Sequence, residues 1–136
     1  MFGLGKKERL FQVILRGDLE AVKSFNLTPR ALRARDGKGR TLLHLAVIIG
    51  ANELVEYLLG IGADIESKDK QGRTPLHWAI ISRKPDIARL LLNKGADCYS
   101  ETRTGVTPLM FATATDQPQL VELLRKYDRQ RDLTFD

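Results

Sequence analysis

Residues 72–79 read GRTPLHWA, and this stretch decides the fold because the chain contains three versions of it. Residues 39–46 read GRTLLHLA and residues 105–112 read GVTPLMFA, so each copy lies 33 positions from the next. The same spacing separates residues 62–64 from residues 95–97, which both read GAD. Self-similarity at a fixed period of this length is typical of repeat proteins, in which each unit buries its apolar face against its neighbours.

Each copy predicts a turn followed by two short helices. The glycine that opens the copy favours a turn, because glycine adopts positive φ without Cβ strain. In the middle copy Thr74 is a candidate helix N-cap, and Pro75 follows at the first helical position, which tolerates proline. Apolar residues at helical spacing come next, and Pro85 starts a second helix that ends before Gly95.

These motifs resemble the ankyrin repeat, and the resemblance covers residues 35–126. It implies an all-α solenoid of about four stacked helix-turn-helix units with short β-turn fingers. The first and last units lack parts of the pattern, as capping repeats commonly do. We predict a degenerate N-terminal capping repeat (1–34), two repeats (35–68 and 69–101), a C-terminal capping repeat (102–128) and a tail (129–136).

Length and composition indicate one folded domain. The chain has 136 residues at 15.3 kDa, 43% of them hydrophobic, with a net charge of +5. Its one cysteine, Cys98, excludes an internal disulfide framework and a cysteine-based zinc finger. The apolar segment at residues 10–15 is too short for a signal-peptide core, and no stretch reaches the ~20 apolar residues that span a membrane. We therefore expect a monomer in the cytoplasm, with the nucleus left open.

The histidines are the first candidates for catalysis or metal binding, and their positions favour a structural role. His44 and His77 occupy the same place in two copies, where the third copy has Met110. The resemblance implies that this histidine forms hydrogen bonds within its turn and between units. No motif supplies the convergent partners that a metal site or a catalytic base needs.

The other chemically distinctive residues also have structural interpretations. Asp36 and Asp69 begin two of the turns, where an aspartate accepts hydrogen bonds from nearby backbone N–H groups. Cys98 has no cysteine or histidine beside it in the sequence, and it follows Asp97, which does not favour a thiolate. Trp78 stands where the other copies have apolar residues, which favours core packing. We predict no catalytic residue, no metal site and no cofactor.

The resemblance implies that partners dock on the concave side, formed by the fingers and the exposed face of the first helices. By position, the predicted partner-binding residues are Arg35, Lys38, Arg40, Ile48, Ile49, Lys68, Lys70, Gln71, Arg73, Ile81, Ser82, Arg103 and Thr104. The finger positions hold seven basic residues and one acid, Glu101, whereas the second helices hold five basic residues and six acids. The positive charge is therefore predicted to concentrate on the docking side, with isoleucines supplying exposed apolar contact.

We predict a non-catalytic protein–protein interaction module, an adaptor, scaffold or inhibitor, that captures an acidic segment of its partner. The alternative is nucleic-acid or other polyanion binding through the same basic face. That alternative is the weaker one, because the basic residues are not interleaved with exposed aromatic side chains on which bases stack. No sequence feature supports an enzyme.

Overall fold

The computed structural model describes residues 5–133, with side-chain environments for residues 5–130. Within residues 5–133 no strand is assigned, so the described chain is all-α, as the repeat pattern predicts. The helices in this range are α1 (Lys6–Leu15), α2 (Leu19–Lys23), α3 (Pro29–Leu32), α4 (Leu42–Ile49), α5 (Asn52–Gly60), α6 (Pro75–Ile81), α7 (Pro85–Asn93), α8 (Pro108–Ala114) and α9 (Pro118–Leu133).

The helices stack in pairs. The first helices contact one another in the order α1, α4, α6 and α8, and the second helices α5, α7 and α9 form a second layer in the same order. Within each pair the two helices also pack together, α4 on α5, α6 on α7 and α8 on α9. The prediction of an ankyrin-type solenoid is therefore confirmed at the level of helix packing.

The sequence signals for helix starts are found where they were predicted. The hydroxyl oxygens of Thr41, Thr74 and Thr107 each accept a hydrogen bond from the backbone N–H three residues later. Pro75 and Pro108 follow at the first helical position, where no N–H is needed. These caps fix where the first helix of each unit begins.

The core lies between the two helix layers and runs the length of the stack. Its largest fully buried apolar side chains are Ile14, Val22, Leu42, Leu43, Leu54, Leu58, Leu76, Ile80, Ile87 and Leu91. They come from α1, α2, α4, α5, α6 and α7, so no helix pair buries its apolar stripe alone. The stacking of neighbours supplies the burial that each short pair lacks.

Two of the turn glycines are required by close contact as well as by φ. Gly39 and Gly72 both have φ of +77°. A Cβ at Gly72 would lie 2.7 Å from the backbone nitrogen of Arg103, and one at Gly39 would lie 2.8 Å from that of Lys70. Successive turns therefore approach each other closely, which determines the shape of the candidate site.

The two ends of the stack differ from the middle. The N-terminal unit contains the extra one-turn helix α3, capped by the Thr28 hydroxyl. At the other end α9 continues through residue 129, where a tail was predicted to start, and reaches Leu133. Residues 134–136 of the predicted tail lie outside the described residues. The unit boundaries stay a prediction.

Candidate functional site

The turns between units form a row, and we call them the fingers. They are residues 35–40, 68–73 and 101–106. Neighbouring fingers are joined through their backbones: the N–H of Lys70 donates to the carbonyl of Lys38 at 3.1 Å, and the N–H of Arg103 donates to the carbonyl of Gln71 at 3.0 Å. The row is therefore a continuous backbone-bonded surface that holds its side chains in fixed register.

In each finger an acidic or hydroxyl side chain accepts hydrogen bonds from backbone N–H groups of the same finger. One carboxylate oxygen of Asp36 accepts hydrogen bonds from the backbone N–H groups of Lys38 and Arg40, each at 2.9 Å. Asp69 makes the same two contacts in the second finger, also at 2.9 Å. In the third finger Thr102 accepts from the N–H four residues later at 3.1 Å. The predicted local role of the two aspartates is confirmed.

The second carboxylate oxygen of Asp36 makes an ion pair with Arg40. The Arg40 Nε lies 2.9 Å from it, and the side chains are 23% and 20% exposed for Arg40 and Asp36. Burial acts to raise the pKa of Asp36, but the hydrogen bonds from Arg40 and from the Lys38 backbone outweigh it and hold the pKa below its ordinary value. Asp36 is ionised at neutral pH, so the charge of Arg40 is largely balanced within its own finger.

Three of the predicted binding cations also connect neighbouring fingers. The Arg35 guanidinium donates to the carbonyl of Lys68 at 2.7 Å, and the Lys68 ammonium donates to the carbonyl of Glu101 at 3.2 Å. The Arg103 guanidinium donates to the carbonyl of Lys70 at 3.1 Å. Each bond joins residues 33 apart, so these side chains hold the row together in addition to giving it charge.

The first two fingers enclose a cleft of about 350 Å³, which we call the finger cleft. It is lined by Gly37, Lys38, Arg40, Asp69, Lys70, Gln71, Arg73 and Trp78. Five of the predicted partner-binding residues thus meet here, while Arg35, Lys68, Arg103 and Thr104 are exposed elsewhere on the row. Lys38, Lys70 and Gln71 are exposed at the cleft, which leaves their side chains open to an incoming group.

The predicted apolar contact on the first helices is less exposed than expected. Ile48, Ile49, Ile81 and Ser82 are all half-buried. Ile48 packs directly against the core, which accounts for part of this burial. The large hydrophobic side chains that are exposed among the described residues lie at other positions: Leu15, Ile61, Tyr99 and Met110. The expectation of exposed isoleucines is therefore wrong, and a partner would contact only their outer edges.

The two histidines are structural links between units. The Nδ1 of His44 accepts the backbone N–H of Thr41 at 3.1 Å, which leaves Nε2 to donate to the carbonyl of Arg73 at 2.9 Å. His77 makes the equivalent contacts with Thr74 and Val106. Burial lowers the pKa of both histidines, against the opposite effect of the carbonyl acceptors, so both rings are neutral at pH 7. The predicted structural role is confirmed.

A comparison with known families agrees with this geometry. A family model described as ankyrin repeats, in three copies, matches residues 10–102, which is more than half of the chain. The chain belongs to the ankyrin-repeat family. Ankyrin repeats generally mediate protein–protein interactions, and domains built from them are typically non-catalytic. Between residues 5 and 133, none of this ankyrin-repeat chain's helices combines the length and the apolar character needed to cross a bilayer.

The finger cleft of this ankyrin-repeat protein includes an aromatic residue, Trp78, that is not among the predicted partner-binding residues. Trp78 packs against the core with part of its ring, as predicted, but it is only half-buried and also lines the cleft. Its Nε1 donates to the second carboxylate oxygen of Asp69 at 2.8 Å. The Arg73 guanidinium lies 5.1 Å from the Trp78 ring and 5.9 Å from that of Phe111. These contacts fix a flat cationic and aromatic wall on one side of the cleft.

Proposed function

We propose that this ankyrin-repeat protein is a non-catalytic interaction module that binds an acidic segment of another protein along its fingers and first helices. The observation that carries the proposal is the finger cleft, where four of the eight lining residues are cationic. Its single acid is Asp69, and both carboxylate oxygens of Asp69 already accept hydrogen bonds from the protein. The cleft therefore favours an anionic group, since complementary charge speeds encounter and selects partners.

The cleft residues have different roles in this proposal. Lys38 and Lys70 are exposed cations, and they would receive the partner's carboxylates. Gln71 would add a hydrogen bond, because its amide both donates and accepts. Arg73 and Trp78 would form the anchoring wall, since arginine and tryptophan commonly contribute most of the free energy at interfaces.

The rest of the predicted surface extends from this cleft. Arg35, Lys68 and Arg103 would contribute positive potential while holding the row, and Thr104 would lie at the far finger. Along the first helices, the outer edges of Ile48, Ile49, Ile81 and Ser82 would add apolar contact. The proposal also includes a monomer without a cofactor in the cytoplasm, where a lone thiol such as Cys98 stays reduced.

The experiment starts with affinity capture and mass spectrometry to identify the partner, followed by calorimetry with that purified partner. The test variant carries Lys38→Glu and Lys70→Glu, and the matched control carries Arg89→Glu and Lys94→Glu, two exposed cations on or next to α7. Reversing two contact charges should weaken binding about ten- to a hundredfold, with a steep salt dependence in the wild type. Thermal unfolding of both variants should match the wild type.

Equal losses in the two variants, or no loss in either, would contradict the assignment of the finger cleft. The polyanion alternative is tested by titrating single-stranded DNA at low salt. Binding that depends on Lys38 and Lys70, without any protein partner that depends on them, would replace the proposal with that alternative.

A further inference from the structure

The N-terminal end of the stack carries a second cleft, of about 340 Å³, which shares no residue with the finger cleft. It lies between the start of α1 and the segment at residues 25–34, which contains α3. We call it the N-terminal cleft. Its lining residues are Lys6, Lys7, Leu10, Phe25, Asn26, Leu27, Thr28, Arg30, Ala31 and Ala34.

A local departure from the repeat forms this cleft. Residues 29–31 read PRA and stand 33 positions before residues 62–64, which read GAD and form an irregular turn. In the N-terminal unit the chain instead forms α3, with Thr28 as its cap and Pro29 at its first position. The cleft therefore depends on a helix that the equivalent turn at residues 62–64 lacks.

The cleft combines an apolar floor with a cationic rim. The floor is formed by Leu10, Phe25, Leu27, Ala31 and Ala34, of which Leu10 is buried and the others are half-buried. The rim cations are exposed and come from both sides, Lys6 and Lys7 from α1 and Arg30 from α3. The Lys7 ammonium lies 5.9 Å from the Phe11 ring. None of the ten lining residues is acidic.

We propose that the N-terminal cleft binds an acidic–apolar peptide segment of a partner protein. The chemistry of the lining residues identifies the occupant. The cations on both sides of the cleft favour a ligand with negative charge, and the apolar floor favours apolar side chains in the same ligand. A peptide that carries both acidic and apolar side chains supplies both, because its apolar side chains can pack on the floor while its flexible glutamates reach the cations at the rim. This site is independent of the finger cleft and adds a second point of contact.

The probe is a short fluorescent peptide that alternates glutamate and leucine, and its binding to the full chain is followed by fluorescence anisotropy. Two matched peptides, one alternating glutamate with serine and one alternating lysine with leucine, separate the apolar requirement from the charge requirement. The glutamate–leucine peptide should bind at least about tenfold more tightly than either control. In amide NMR spectra it should shift the signals of Ala31 and Ala34.

Variants locate the site. Lys7→Glu combined with Arg30→Glu should weaken peptide binding about tenfold or more, because two rim charges are reversed. Ala31→Phe should weaken it without any change of charge, by filling the floor. The control is Arg33→Glu, an exposed cation at the end of α3 that does not line the cleft, and it should leave affinity unchanged.

Several outcomes would overturn the proposal. The first is no binding of the glutamate–leucine peptide to the wild type. The second is a loss caused by Lys38→Glu with Lys70→Glu but not by the N-terminal variants, which would assign the peptide to the finger cleft. The third is binding to phosphatidylserine vesicles that depends on Lys7 and Arg30 in the absence of peptide binding, which would identify a lipid surface as the occupant.

Discussion

Replacing His44 by alanine should lower the free energy of unfolding by about 3–5 kcal/mol. The side chain is fully buried and joins two units through its ring. Nδ1 accepts the N–H of Thr41 at 3.1 Å, and Nε2 donates to the carbonyl of Arg73 at 2.9 Å. The substitution removes both bonds and leaves a cavity in the core.

The expected loss of stability is the sum of three contributions. The Arg73 carbonyl keeps a second donor, the N–H of Asp69 at 3.0 Å, so its loss is about 1 kcal/mol, the net value of an ordinary hydrogen bond. The Thr41 N–H loses its acceptor in a buried position, which costs about 1–3 kcal/mol. The space vacated by the ring adds about 1 kcal/mol or more.

The assay is urea unfolding followed by far-UV circular dichroism, with the slope checked for two-state behaviour. Met110→Ala is the matched control, because Met110 holds the same repeat position but is 54% exposed, and between it and residue 133 the structure has no further finger for it to contact. It should cost less than about 1 kcal/mol. A loss below about 1.5 kcal/mol for His44→Ala, or equal losses at the two positions, would refute the argument that the histidine links the units.

Three further predictions concern the same framework. Because burial holds the pKa values of His44 and His77 below the ordinary 6.5, the unfolded state takes up protons first as pH falls, and stability should decline as the pH drops below about 7. Urea midpoints measured against pH should show this decline, and glutamine at both positions should flatten it. Gly72→Ala should lower the free energy of unfolding in urea by about 2–3 kcal/mol, because φ is +77° and the new Cβ would lie 2.7 Å from a backbone nitrogen. Gly60→Ala is the control: the position is helical with open space around it, so the substitution should raise the free energy of unfolding by about 0.5–1 kcal/mol. Arg35→Met should lower the free energy of unfolding measured in urea by about 1–2 kcal/mol, because it removes two 2.7 Å hydrogen bonds, one to the carbonyl of Gly39 and one to the carbonyl of Lys68 in the next finger.

The fold was predictable because its signals are short-range. Thr41 caps α4, and the His44 ring that completes this cap lies three residues later, so one copy of the motif contains the complete capping interaction. The spacing of 33 then predicts that each copy packs on the next. Helix starts, turn glycines and the all-α class all follow from contacts that the sequence places within a few residues of one another.

The details of the candidate site were less predictable, because they depend on side chains from two units at once. Trp78 aligns with Leu45 and Phe111, and apolar residues at one repeat position suggest one environment. Leu45 is buried, whereas Trp78 extends far enough to reach Asp69 and to line the finger cleft. Leu45 and Trp78 differ in exposure because the indole is larger and has a hydrogen-bond acceptor within reach. The repeat spacing gives no information about either property.

Cations that lie in the same finger differ in what their side chains contact. Arg35 and Lys38 are three positions apart and both are exposed, yet Arg35 donates to the next finger while Lys38 lines the finger cleft. A charge reversal at Arg35 therefore changes the spacing of the fingers together with the local potential, whereas a reversal at Lys38 changes the potential alone. Loss of binding after a substitution at Arg35 could therefore result either from a lost contact with the partner or from a change in the fingers. Only substitutions at positions such as Lys38 and Lys70 show where on the surface the partner's charge binds. This is why the binding test rests on those two lysines.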